Sequence, residues 1–351
     1  MEKKIVLVDH SFHMKTKSSQ FIIDLLKERY DVEIIWDTYW KDGIEADLSF
    51  VDESHYAVVF WQSLLPVSLK NLTCKNIVFF PMYDACCSLG ADYWYSIRHV
   101  KIMNFSKTLF LKLKGFGFQT MYAQFFPPPV CNNGFNDLSL FFWNRTNDVT
   151  WRVVKKIIQN ADVSSIHIHK AIDPFYDFIA PSAADERKYH ITYSDWFASR
   201  DDYLGAVKNK SIYIAPRRLE GLGFSFLEAM AMGRAVVAAD NPTMNEYIRH
   251  GVNGYLFSLK YPRPIDFGNL RLIQRNAFHS IAEGRKKWEA EKDKIYEFIE
   301  LEPVKNFIIE KKYKHEVALS ILLKAIKKII LYIMPYGIVR LYQRYIKRHP
   351  D

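Results

Sequence analysis

Cysteine is scarce in this chain, at four of 351 residues: Cys74, Cys86, Cys87 and Cys131. Four thiols are too few for a disulfide framework at this length, so they are expected reduced and mostly buried. The 11 histidines and four cysteines form neither H-x-x-x-H nor C-x-x-C, which leaves metal binding without a sequence signal. His167 and His169 alternate along an apparent strand and read as polarity on one of its faces. A membrane-spanning run is missing as well. The uncharged stretch from His55 to Leu69 is 15 residues long and holds Pro66, short of the roughly 18–20 apolar residues that a spanning helix needs. No signal-peptide apolar region follows Met1, so the expected location is cytoplasmic. Neither half of the chain opens with Gly-x-Gly-x-x-Gly, which disfavours a nicotinamide-dependent oxidoreductase. Short repeats and low-complexity tracts are lacking too.

What is present is the composition of a folded protein. Hydrophobic residues make up 49%, aromatics 15% and charged residues 25%, which excludes a disordered chain and gives an expectation of two domains. The formal net charge of +9 is unevenly placed. Residues 311–351 hold ten Lys or Arg against Glu316 and Asp351, so the tail carries +8 and the first 310 residues +1. A nucleic-acid-binding body spreads its basic residues over a face of the fold; here the charge belongs to an appendage, and no nucleic-acid partner is expected.

Short apolar runs alternate with helical patterns. Strands are expected at Lys4–Asp9, Val32–Trp36, Tyr56–Phe60 and Asn76–Phe80, with a β-rich segment at Phe118–Phe126. After Pro127-Pro128-Pro129 and Cys131-Asn132-Asn133-Gly134 the alternation restarts, with strands at Leu138–Trp143, Ser165–His169, His190–Tyr193, Ile212–Ala215 and Ala235–Ala238. Helices are expected at Thr150–Asn160, Arg200–Lys208 and Phe224–Met232. The fold class is therefore α/β, two Rossmann-like domains facing a cleft across a proline hinge. The expected boundaries are 1–128 on the acceptor side and 129–266 for donor binding. Closing helices at 267–310 cross back to the first domain, and 311–351 form a basic tail.

The densest chemical signal runs from Pro216 to Met230. A strand ends at Ala215, a turn bearing Gly221 and Gly223 follows, and a helix opens near Phe224. The first N–H groups of that helix lack intrahelical partners and its dipole favours an anion, while the glycines let a phosphate approach the backbone. Gly221, Leu222, Gly223, Phe224 and Ser225 are thus candidate phosphate-binding residues. Glu228 leans back over the turn from one turn inside the helix. A carboxylate beside a phosphate site is repulsive unless it meets hydroxyls, so Glu220 and Glu228 around this turn suggest a nucleotide-sugar site.

Glu220 to Glu228 resembles the E-x7-E motif of retaining glycosyltransferases of the GT-B fold, especially glycosyltransferase family 4 and its relatives. The likeness continues through Glu228-Ala229-Met230-Ala231-Met232-Gly233-Arg234-Ala235-Val236-Val237-Ala238, then Asn245–Ile248 and Gly251–Leu256, covering about residues 212–257. The resemblance implies GT-B architecture and a site in the second domain. There Glu228 holds the nucleotide ribose, Glu220 lies by the donor sugar, and Arg145 neutralises the diphosphate. The family's lysine six residues after that arginine is Trp151 here, and Arg152 or Lys155 on the next helix is the expected substitute. Without an Asp-x-Asp pattern in the expected region, a fixed guanidinium stabilises the leaving diphosphate and no cofactor or metal is expected. The first-domain loop carries Lys15, Thr16 and Lys17 for donor or acceptor phosphates, unless it is only a solvated loop with Ser18 capping the next helix.

In the tail, Leu319, Leu322, Leu323, Ile326, Ile330 and Ile333 form one helical stripe with Lys324, Lys327 and Lys328 off it. A second segment sets Ile338, Leu341, Tyr342 and Tyr345 opposite Arg340, Arg344, Lys347 and Arg348. Basic amphipathic helices of this kind lie on anionic membranes; packing on the protein body is the alternative. The resulting expectation is a metal-independent, retaining glycosyltransferase on the inner face of the plasma membrane. Its substrates are a nucleotide-sugar donor and a lipid-linked or surface-polysaccharide acceptor. The alternatives are a catalytically inactive GT-B scaffold subunit of a glycan-assembly complex, or a GT-B sugar-nucleotide epimerase.

Overall fold

The computed structural model describes residues 3–130, 134–135, 137–173 and 176–333. The expected tail segment beyond 333 and the Cys131-Asn132-Asn133 run lie outside these described residues. Two parallel sheets organise the chain, six strands each. The first comprises β1 (Lys4–His10), β2 (Asp31–Asp37), β3 (Ala57–Gln62), β4 (Ile77–Pro81), β5 (Lys101–Asn104) and β6 (Thr120–Tyr122), in the order β2-β1-β3-β4-β5-β6. The second comprises β7 (Ser139–Trp143), β8 (Ser165–His169), β9 (Ile191–Ser194), β10 (Ile212–Ile214), β11 (Ala235–Ala239) and β12 (Tyr255–Phe257), in the order β12-β11-β10-β7-β8-β9.

Parallel strands are covered on both faces, so they need continuous apolar sequence rather than alternation. Val58, Val59, Phe79, Phe80 and the whole of Ala235–Ala239 are accordingly sealed from solvent. In the second sheet the chain runs from β7 through β8 to β9, then returns to place β10 on the other flank of β7. The carboxyl ends of β7 and β10 therefore flank a topological switch point, where connections diverge and leave a crevice. In the first sheet the corresponding point lies between β1 and β3.

By contacts the chain divides into residues 1–123 with 292–351, and residues 124–291. The segment from Gln124 to Val130 is tied into the second unit: Gln124 Nε2 donates to Glu246 O (3.0 Å), Arg285 to Phe126 O (3.1 Å), and Val130 N to Ala231 O (2.9 Å). The expected helical stretch after 267 is a single 31-residue helix, Leu270–Glu300. Its earlier part serves the second unit through Trp288 against Phe125, and its end serves the first through Tyr296 Oη on Leu25 O (2.7 Å).

The Lys311–Ile333 helix lies on the first unit by a face that the apolar stripe did not indicate. Tyr313 packs on Phe116, Val317 enters the core, and Ser320 Oγ and Lys324 Nζ bond the two oxygens of Asp92 at 2.6 and 2.5 Å. The stripe itself faces outward, with Leu319, Leu322, Leu323, Ile326 and Ile330 between 42% and 55% exposed. Among the described residues no helix is long and apolar enough to cross a membrane.

Candidate functional site

The run expected to bear the chemistry leaves β10 at Ala215 and opens the helix Phe224–Ala231. Gly223 caps that helix at φ +83°, and a Cβ there would lie 1.9 Å from the ring of the buried Phe226. Only glycine fits, and the cap residue itself makes no side-chain bond to the first turn, the arrangement in which a helix start can receive an anion. Glu220 is buried beside this turn, its own amide donating to Pro242 O at 3.3 Å.

Glu228 lies one turn into the helix, its side chain 14% exposed and ion-paired with Arg200, the first residue of the Arg200–Lys208 helix after β9. Burial raises the Glu228 carboxyl above its ordinary value, and the Arg200 guanidinium opposes that shift. The hydroxyls of the half-buried Tyr203 and the buried Tyr213 lie 3.5 Å apart.

On the other side of the switch point, Arg145 follows β7. Its guanidinium lies over Trp143 (4.9 Å to the ring centroid), and Nε donates to both oxygens of Asp173 at 2.9 and 3.0 Å. Arg217, in the loop after β10, reaches the same carboxylate with Nη2 at 3.1 Å. The two loops are laced together, since Thr146 Oγ1 donates to Pro216 O (3.5 Å) and Arg218 N to Asp148 Oδ2 (3.3 Å).

The helix Trp151–Ile157 directs its donors elsewhere. Trp151 is buried, with Nε1 on Asp185 Oδ2 at 3.1 Å, and Lys155 Nζ pairs with the same carboxylate at 2.7 Å. Lys155 is therefore occupied at the start of the Ala183–Lys188 helix. Arg152 is exposed in the first turn, with no hydrogen-bond or ion-pair partner among the described residues.

In the first unit the expected loop after β1 contains a short helix, His13–Thr16, and Lys15, Thr16 and Lys17 are all exposed on it or at its end. Ser18 does not cap the next helix. Ser19 occupies the cap position, but its hydroxyl turns to the buried Asp9, and Ser18 hydrogen-bonds Thr16 instead. The carboxylate of Asp9 outcompetes the helix amides because it is sealed from water and needs donors; His10 N and the His13 ring supply two more at 2.7 and 2.6 Å.

Glu220, Gly221–Ser225, Glu228 and Arg145 thus gather at one end of the second sheet, whereas Lys15–Lys17 belong to the first unit. Sequence reasoning missed Asp173, Arg200 and the role of Arg217. The last stood in the run already singled out; the first two carry no local signal.

Residues 192–263 match the family model for glycosyl transferases group 1, a stretch that holds Arg200, Arg217, Glu220 and Glu228. No curated protein matches the sequence. The fold is shared with solved structures at low identity. Anabaena HepE, solved in complex with UDP and glucose, has a TM-score of 0.55 at 13% identity, over 84% of this chain and 98% of that one. Sucrose-phosphate synthase from Thermosynechococcus elongatus has 0.56 at 12%, over 84% and 98%. A glycosyltransferase from Rickettsia africae has 0.55 at 14%, over 85% and 98%. The fold is GT-B, and together with the matched segment it supports a glycosyltransferase.

Proposed function

We propose that this chain is a retaining, metal-independent glycosyltransferase using a nucleoside-diphosphate sugar. The observation that carries the reading is the glycine-capped helix start, flanked by Glu220 and Glu228 at the switch point, inside the matched segment. Glu228 takes the ribose hydroxyls in place of Arg200, and Glu220 lies by the donor sugar. The amides of Phe224 and Ser225, with the backbone of Gly221–Gly223, hold the phosphates. As the bond from the anomeric carbon to the diphosphate breaks, charge develops on the departing oxygen. Arg145 is already fixed to receive it, with no reorganisation at the moment of reaction. Lys15, Thr16 and Lys17 serve an anionic group of donor or acceptor, and Arg152 adds charge at the rim.

Thermal unfolding with a panel of nucleoside diphosphates tests the donor site. At a hundredfold excess over Kd a ligand adds about 2.7 kcal/mol, about 5–10 °C for a unit of this size. One diphosphate is expected to give this shift on the native chain and none on Glu228→Ala. A folded chain that no diphosphate stabilises would remove the donor-site reading.

The acceptor is proposed to be lipid-linked or a growing surface polysaccharide, met at the inner face of the plasma membrane. The outward apolar face of Lys311–Ile333 supports this, because the opposite face is already spent on Asp92, Phe116 and the first-unit core. Each basic residue near an anionic surface adds about 1 kcal/mol. Cosedimentation with phosphatidylglycerol vesicles is expected, weaker at high salt. The double change Leu322→Glu, Ile326→Glu is expected to cost about tenfold or more by removing the inserted face. Equal binding to neutral and anionic vesicles, or none to either, would contradict the membrane assignment.

A further inference from the structure

We infer that Arg217, coupled to Arg145 through Asp173, is the second cation holding the donor diphosphate, supplying the charge that position 151 does not. This rests on the donor-site reading above and names a residue that the family resemblance does not point to.

Three observations carry it. First, the helix expected to provide the second charge has its inward donors spent: Trp151 and Lys155 both bind Asp185. Second, Arg217 reaches the carboxylate that Arg145 grips, from the loop that ends in the glycine-capped helix, so both guanidiniums stand at the same rim. Asp173 is itself anchored, its amide donating to Arg145 O at 2.9 Å. Third, the two guanidiniums meet on a single carboxylate, at side chains only 20–26% exposed. Two arginines this close repel; the carboxylate between them offsets that and fixes the direction of each fork. Arg145 spends only Nε on Asp173, and its two terminal amino groups have no hydrogen-bond partner among the described residues. A diphosphate fits such a pair because its oxygens, spread over two phosphorus centres, accept from two planar forks at once. Asp173 is then a positioning residue, and the two arginines touch the ligand.

The test compares the nucleoside mono- and diphosphate of the base selected by the thermal panel, titrated calorimetrically into the full chain. The native protein is expected to bind the diphosphate at least tenfold more tightly than the monophosphate. Arg217→Ala is expected to shrink that ratio below about threefold while leaving the monophosphate Kd within about twofold. Arg217→Lys restores part of the ratio, and Lys156→Ala, which removes an unrelated exposed charge, leaves it intact. An unchanged ratio in Arg217→Ala, a lysine variant no better than alanine, or loss of the ratio in Arg152→Ala instead would each overturn the assignment. If the folded native chain bound neither nucleotide, the donor-site reading would fall first and this inference with it.

Discussion

Gly223→Ala is expected to lower the stability of the second unit by about 2–5 kcal/mol and to weaken diphosphate binding at least tenfold. Two costs add. The residue sits at φ +83°, where an L side chain costs about 1–2 kcal/mol. Its Cβ would also stand 1.9 Å from Cε1 and 2.6 Å from Cδ1 of Phe226, and overpacking of this kind costs about 1–3 kcal/mol. Phe226 has nowhere to retreat, being fully buried with its ring against Tyr247 at 5.7 Å. Relief must come from the helix start itself, which moves the amides of Phe224 and Ser225 away from the phosphate position. Gly251 separates the two costs, since its φ is +71° and a Cβ there meets nothing within 4 Å. Gly251→Ala should therefore show the backbone cost alone, about 1–2 kcal/mol, with diphosphate binding unchanged. Thermal unfolding of both variants checks this, at about 2–4 °C per kcal/mol for a unit of this size. Equal shifts would mean that the Phe226 ring yields and the cap is not tightly packed.

The Gly223 turn was legible in the sequence because its logic is local: strand, two glycines, helix, all within about fifteen residues. The buried strands were legible for a related reason. Ile5–Val8 and Val236–Ala238 are apolar throughout, as a strand covered on both faces must be. β5 was not, because Lys101-Ile102-Met103-Asn104 begins with a lysine and ends with an asparagine. Both are buried, and their partners come from elsewhere: Asn104 bonds Thr120 across the sheet, and Lys101 bonds carbonyls nearly two hundred residues later. The site divides the same way. Glu220 and Glu228 stand in one run, but Asp173 meets Arg145 only where the segments after the adjacent β8 and β7 converge, and Arg200 reaches Glu228 from the segment after the edge strand β9. The tail's stripe was visible as helical spacing, yet spacing alone could not say which face would dock. The docked face joins Tyr313 on Phe116 and Val317 in the core to Ser320 and Lys324 on Asp92, partners that lie some two hundred residues earlier in the chain.

Lys101→Met is expected to destabilise the first unit by about 1–3 kcal/mol, the cost of taking the donor away from buried acceptors. Lys101 is wholly buried, and its Nζ donates to Phe298 O (3.2 Å), Ile299 O (2.8 Å) and Leu301 O (2.6 Å). These carbonyls end the Leu270–Glu300 helix, where four acceptors have no intrahelical donor and the dipole favours a cation. Asn76 Nδ2 adds a bond to Ile299 O at 3.1 Å and Leu301 N one to Phe298 O at 3.4 Å, so methionine at 101 would take the side-chain donor from Leu301 O and leave the other two carbonyls with one donor fewer. Stability should also respond to pH through this residue. Burial lowers the Lys101 ammonium to about 8, with the Glu302 carboxylate opposing, against roughly 10.4 in an unfolded chain. Between those values the unfolded state binds more protons, so stability contributed by this group rises with pH; below about 8 both states are protonated and the slope vanishes. The advantage of the native chain over Lys101→Met should therefore widen between pH 8 and 10 and stay flat from pH 6 to 7.5, as read from urea midpoints of both proteins. A gap that stays flat through pH 8–9 and narrows only towards and above roughly pH 10 would mean that the three carbonyls favour the ammonium more strongly than burial opposes it. The lysine would then act as a charged cap on the helix's negative end.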